Sequence, residues 1–202
     1  MSDTGGLLNI LNHAMNISSV NNSVPVMNLI KTHNPKSKNE LKDLIEYHFM
    51  NKCDCGIRSK GTVEDFGKNL YDAQLEYWGE YKFSLEECIK WEYDLFITNS
   101  LKGACMEDKA VEVLREVLPS IFTVNVVQNI VDVNFRVDIE IKWCGLLVLG
   151  IQVKPESYEF MEDDIKSINK VLNSKYPVNV KYLFYNSEGV FVNIEDVVKS
   201  YL

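Results

Sequence analysis

Residues 133–154 carry the pattern that most limits what this chain can fold into. From Val133 to Trp143 apolar and polar residues alternate strictly, with Phe135, Val137, Ile139 and Ile141 on one face and Arg136, Asp138, Glu140 and Lys142 on the other. Cys144-Gly145 then reads as a tight turn, and Leu146–Lys154 as a nearly unbroken apolar strand. Strands joined by so short a link pair antiparallel, because a parallel return needs a long crossover. Side chains two apart share a face, so Gln152 and Lys154 point one way while Ile151 and Val153 point the other. An amide and an ammonium finishing a buried strand need partners.

Caps and periodicity order the remaining elements. Residues 1–35, rich in Asn and Ser (NISSVNNS) and poorly periodic, are expected to form a loosely structured arm. Ser37 with Glu40 and Ser84 with Glu87 read as capping boxes, and Thr62 as an N-cap. The helices they open are striped by Leu41, Leu44, Ile45, His48 and Phe49, by Phe66, Leu70, Ala73 and Tyr77, and by Leu85, Cys88, Ile89, Leu95 and Phe96. From Cys105 a helix runs to Leu118, stops at Pro119, and gives way to a β-branched strand over Ile121–Val127 and then to the hairpin. A helix over Tyr158–Ser174, striped by Met161, Ile165, Ile168 and Leu172, leads to a strand at Val178–Tyr185, a short fifth strand at Gly189–Val192 and a small closing helix. The predicted class is α/β: a mixed central sheet flanked by helices over 103–202, behind a helical N-terminal region over 1–102, as one compact unit.

With 202 residues, 46% of them hydrophobic, the chain can bury one sizeable core. The start has no basic region before an apolar stretch, and no run of about 18 apolar residues occurs, so a cytoplasmic protein is expected rather than a secreted or membrane-spanning one. Five scattered cysteines fit reduced thiols. Cys53 and Cys55 form a lone CxC, and His13, His33 and His48 follow at no recognisable ligand spacing, so structural zinc is not expected and the histidines read as surface or capping groups. The net charge is −8, yet residues 1–60 carry seven Lys/Arg against five Asp/Glu. Their positive charge sits in Lys31–Lys38 and Arg58–Lys60. Lys31, His33, Lys36, Lys38, Arg58 and Lys60, with Arg136 on the Asp138 face, are the candidate DNA contacts, gripping phosphates or reading guanine edges.

The helix before the sheet aims Val111, Leu114 and Leu118 inward, and Glu107 lies one turn back on that line. Asp138, Gln152 and Lys154 can converge if they share the polar face of the hairpin. Such a set suits phosphodiester hydrolysis. Carboxylate and amide oxygens hold Mg²⁺, which acidifies a water and neutralises phosphoryl charge, while an ammonium stabilises the developing anion.

Asp138 followed by Gln152-Val153-Lys154, on an order of helix, three strands, helix and strand, resembles the PD-(D/E)XK nuclease superfamily over residues 103–185. Ser100–Glu107 and Gln152–Tyr158, with Ser84–Leu101 upstream, are similar to the MjaI-type restriction endonucleases, which cut DNA at CTAG. The resemblance implies a type II restriction endonuclease, a homodimer on palindromic double-stranded DNA, leaving 5′-phosphate and 3′-hydroxyl ends. It implies Asp138, Gln152, Lys154 and Glu107 as catalytic residues and Asp138, Gln152 and Glu107 as Mg²⁺ ligands. Two departures stand out: Val137 occupies the usual proline position, and Gln152 replaces the usual acid, as in Mrr-like nucleases. Glu140 reads as a bystander and Glu92 as a reserve acid. The alternatives are another DNA nuclease of the superfamily, or a non-catalytic DNA-binding or acidic partner protein of the same fold.

Overall fold

The computed structural model describes residues 4–18, 23–127, 131, 134–160, 163–199 and 201. It divides into two units, Met1–Lys102 and Gly103–Leu202.

In the first unit, the third, fourth and fifth helices start where the side chains of Ser37, Thr62 and Ser84 satisfy amides that a helix leaves unbonded. The helices are α1 (Thr4–Met15), α2 (Val26–His33), α3 (Lys38–Phe49), α4 (Val63–Trp78) and α5 (Leu85–Tyr93), the last continued by a π-helical turn at Asp94–Asn99. Reciprocal capping boxes open α4, at Thr62 and Asp65, and α5, at Ser84 and Glu87. The box expected at Ser37 is only half made: its hydroxyl accepts from Glu40 N, while Glu40 Oε2 accepts from Lys36 N instead. Gly67 lets α4 meet α5, since a Cβ there would lie 2.5 Å from the Ile89 Cα. Gln74, fully buried, secures the loop between these helices: its Oε1 accepts from Lys82 N and Phe83 N, and its Nε2 donates to Phe83 O.

Two expectations for this unit are corrected. The loosely structured arm is two helices, although residues 1–3 and 19–22 lie outside the described residues. Leu8 and Leu11 share one face of α1 and pack in a cluster with Leu70 and Cys88. Tertiary burial of that short stripe outweighs the weak helix propensity of the Gly and Asn residues around it. The second correction concerns histidine. His48 is fully buried rather than at the surface, and the donor atoms of His33, His48, Cys53 and Cys55 all lie within 4.8 Å of one another. These ligand types come from the ends of two helices and the loop after them, a gathering that no linear spacing reveals.

The second unit contains α6 (Ser100–Val117) from Gly103 onward, β1 (Phe122–Val126), β2 (Ile139–Trp143), β3 (Leu146–Pro155), a 3-10 turn at Glu156–Phe160, α7 (Asp163–Asn173), β4 (Val180–Tyr185) and α8 (Ile194–Val198). The sheet order is β1-β2-β3-β4, with β1–β2 and β2–β3 antiparallel and β3–β4 parallel. Cys144 and Gly145 both adopt positive φ, at 48° and 84°, the left-handed pair that a two-residue hairpin turn requires. One sheet face, with Ile139, Ile141, Leu149, Ile151 and Val153, packs on Met106, Ala110 and Leu114 of α6 and Val197 and Val198 of α8.

Here too the sequence reading is corrected. β2 begins at Ile139, not at Val133, which lies outside the described residues. Arg136 takes φ 53°, a left-handed conformation that interrupts an extended run. Asp138 therefore stands immediately before β2 rather than in the middle of a strand. The proposed fifth strand is an isolated bridge between Tyr185 and Phe191. On α7, Met161 and the side chain of Ile165 lie outside the description, and Ile168 is 60% exposed rather than buried. Asn173 is turned inward instead, because its amide finds partners there: Nδ2 donates to Phe135 O and Arg136 O, and Oδ1 accepts from the Tyr182 hydroxyl.

Glu92 provides a stability test for the first unit. It is fully buried, accepts from Ser18 Oγ at 2.7 and 2.9 Å, and has its carboxyl pushed up to about 7 by burial. A carboxyl whose folded pKa lies above its unfolded value costs stability as pH rises from the unfolded pKa through the folded one. Glu92→Gln keeps an acceptor without the charge. It is expected to match the parent closely near pH 4.5 and to exceed it by about 3 kcal/mol at pH 8, as read by urea denaturation at both values.

Candidate active site

β3 is an interior strand, paired with β2 and β4, and its last residues line the site. Gly150 faces Glu140 across the β2–β3 register. A Cβ at Gly150 would stand 3.0 Å from the Tyr176 ring, so the absent side chain gives that ring its place. Tyr176 OH then donates to Glu140 Oε1 at 2.6 Å, and Lys142 Nζ lies 3.0 Å from Glu140 Oε2. Burial would raise the Glu140 pKa, but these two donors hold it below the usual carboxylate range.

Beyond Ile151 the pairing changes character. The Asp138 N–H donates to Ile151 O at 2.8 Å, and the Val127 N–H donates to Asp138 O at 3.0 Å. The Asp138 carboxylate reaches past the end of the ladder, where its Oδ2 accepts the Val153 N–H at 2.7 Å. Asp138 is only 6% exposed, and a carboxylate so buried needs donors or a cation. Gln152, at 1% exposure, lies between the Ile151 and Val153 main-chain groups that hold Asp138, and its buried Oε1 accepts no hydrogen bond. Lys154, two residues on, is half-buried, with Nζ 5.9 Å from the Tyr158 ring centroid.

Aromatic rings wall this end of the strand. In the parallel register Gln152 faces Tyr182 and Lys154 faces Phe184. The rings of Tyr158 and Tyr182 stack at 5.5 Å, and those of Tyr182 and Phe184 at 5.9 Å. Asn169 Nδ2 donates to Tyr158 OH, and burial raises the pKa of Tyr182. These rings, with Asn173, Lys166 and Lys170, line a cleft of about 770 Å³. Sequence reading missed this wall. Its signal was Tyr182 and Phe184 at strand spacing, which reads equally as ordinary packing.

The other candidates divide between the two units. Glu107 lies on α6 beside Tyr185, whose pKa is raised by burial and by the Glu107 charge. Tyr185 pairs in register with Pro155, so Glu107 stands at the same end of β3 as Lys154. Alternation along β4 puts Tyr185 on the face opposite Phe184, and Glu107 thus approaches from the α6 side. Arg136, before β2, has a buried Nε without a hydrogen-bond partner. Lys31, His33, Lys36, Lys38, Arg58 and Lys60 belong to the first unit. Lys36 Nζ donates to Asn34 Oδ1, and Arg58 folds back onto the carbonyls of Cys53 and Ile57, while Lys38 and Lys60 are exposed.

A four-stranded mixed sheet flanked by helices, with polar groups gathered at the end of its interior strand β3, defines a restriction-endonuclease-like α/β core. The family model of the MjaI restriction endonuclease matches residues 6–194, and the chain belongs to that family. It is accordingly a type II site-specific deoxyribonuclease, a hydrolase acting on DNA. No curated protein and no solved structure matches it. Among the described residues no helix is long and apolar enough to cross a membrane.

Tyr176 tests the architecture without touching the three residues at the strand end. Tyr176→Phe removes the donor to Glu140 and is expected to cost about 1–2 kcal/mol in chemical denaturation, with the Glu140 pKa rising when followed by carbon-detected NMR titration.

Proposed function

We propose that Asp138, Gln152 and Lys154 form the hydrolytic centre of this endonuclease, with Mg²⁺ held by Asp138 and Gln152 and Glu107 as a further oxygen ligand. The observation that carries the reading is the Gln152 Oε1: it is buried and accepts no hydrogen bond, on the residue between Ile151 and Val153, whose main-chain groups hold the buried Asp138. Such an oxygen fits a hard cation, and the same donor types are those Mg²⁺ takes. When bound, the ion would supply charge neutralisation at the phosphate and an acidified water.

The chain's own groups do the remainder. Hydrolysis joins a water oxygen to phosphorus and breaks the bond to the 3′ oxygen, which leaves and is protonated, giving 5′-phosphate and 3′-hydroxyl ends. Lys154 holds a positive charge where negative charge develops, and the Tyr158 ring beside it limits where the ammonium can go. Asp138 is fixed by Val153 N–H, so its carboxylate is oriented before substrate arrives. Gln152 contributes an oxygen without charge, which leaves the site one negative charge short of an acid at that position. Residues 1–102 act as the DNA-contacting part, through Lys31, Lys36, Lys38, Arg58 and Lys60. The enzyme works in the cytoplasm as a homodimer on a palindromic site, CTAG, because two-fold DNA is matched by a two-fold protein.

Plasmid cleavage tests this directly. Wild-type protein with Mg²⁺ is expected to give discrete fragments whose ends map to CTAG. Lys154→Ala is expected to lose about 10²–10³ in single-turnover rate while retaining its circular dichroism spectrum and its affinity for the site. Cleavage by Lys154→Ala at the parent rate would remove Lys154 from the centre, and fragment ends elsewhere would replace CTAG.

A further inference from the structure

A second polar cluster lies in the first unit and plays no part in the chemistry above. His33 is the last residue of α2, His48 sits in the last turn of α3, and Cys53 and Cys55 follow on the loop after α3. One donor atom from each falls within 4.8 Å of the others. His48 Nδ1 lies 2.7 Å from Leu44 O, which fixes the ring proton on that nitrogen and leaves Nε2 as a lone pair. That Nε2 faces Cys55 Sγ at 3.2 Å. His33 Nε2 is buried with no hydrogen-bond partner, and the two imidazole centroids are 4.9 Å apart. The Cys55 N–H donates to Cys53 Sγ at 3.4 Å, a bond that stabilises charge on sulfur. Arg58 Nη1 closes the loop onto Cys53 O at 2.9 Å.

We infer that His33, His48, Cys53 and Cys55 form a structural zinc site that joins α2, α3 and the CxC loop. Two thiolates and two imidazoles are a closed zinc donor set. A tetrahedron with ordinary Zn–S and Zn–N bonds has edges of about 3.3–3.8 Å, so donors within 4.8 Å need only a small contraction. Both thiols give up their protons on binding, and His48 binds through the nitrogen that its Leu44 bond leaves available. The borderline-soft donors separate this site from the all-oxygen site assigned to Mg²⁺. It also explains an otherwise costly arrangement, in which a buried His33 nitrogen has no partner. The inference does not depend on the catalytic assignment.

The full-length protein, purified without a metal-chelating tag from zinc-supplemented cells, is to be measured by elemental mass spectrometry. About one zinc per chain is expected, as a single closed site requires. Cys53→Ser/Cys55→Ser should lose it, and Asp138→Asn should keep it. Chelator-stripped wild-type protein titrated with Co²⁺ should develop the visible bands and sulfur charge-transfer absorption of a tetrahedral thiolate site. This wild-type spectrum decides the matter even where the double variant does not fold. Wild-type protein that carries no zinc and gives no tetrahedral Co²⁺ spectrum would overturn the inference, as would zinc that persists in a folded double variant or departs with Asp138→Asn.

Discussion

The bond from Val153 N–H to the Asp138 carboxylate marks where the β2–β3 hairpin stops being a main-chain ladder. Up to Ile151 the strands are joined by backbone alone; at Val153 a side-chain oxygen accepts the strand's N–H. That exchange depends on what precedes β2. Arg136 adopts a left-handed φ, and Asn173 of α7 donates to the carbonyls of both Phe135 and Arg136. Asn173 Oδ1 also accepts from Tyr182, the residue beside Gln152 on β4. One buried amide thereby ties the approach to Asp138 to the strand that flanks Gln152. Polar groups buried with their partners in place are rigid, as a preorganised centre requires.

Charge distribution follows from the same geometry. Glu140 is the nearest acid along β2, yet Tyr176 and Lys142 occupy it, and Gly150 is what admits Tyr176. Asp138, held by the Val153 N–H, is the more deeply buried of the two acids. With Gln152 supplying a neutral oxygen, a cation held there would keep more of its own charge for a phosphate. Lys154 adds its charge at the strand end, where the side chain is half-buried rather than fully solvated. The excess of acid in the whole chain therefore says little about this site, because phosphate responds to the local field.

Much of the second unit was legible because strand alternation is a strong local code. The turn at Cys144-Gly145, the antiparallel pairing and the shared face of Gln152 and Lys154 all follow from it. Where alternation ran on without structural cause, it misled: Val133–Val137 continues the pattern, while Arg136 ends the strand. α7 was misread for the opposite reason. Its inward face carries Asn173, whose partners are distant in sequence, so an exposed Ile168 looked like core. In the first unit, α1 rests on Leu8 and Leu11 meeting Leu70, contacts that no local propensity encodes. The Cys/His cluster was hidden similarly, since fourteen intervening residues separate His33 from His48 and the fold alone brings them together.

The dependence of single-turnover DNA cleavage on Mg²⁺ concentration tests most directly whether Gln152 and Asp138 hold the catalytic cation. Wild-type protein is to be compared with Gln152→Glu, which restores an acid, and Gln152→Ala, which removes the oxygen. If Gln152 is a ligand, half-saturation should fall by about tenfold in the Glu variant and rise by at least as much in the Ala variant, in keeping with the control of affinity by ligand charge and number. Three superimposable Mg²⁺ curves would contradict a metal site at this strand end.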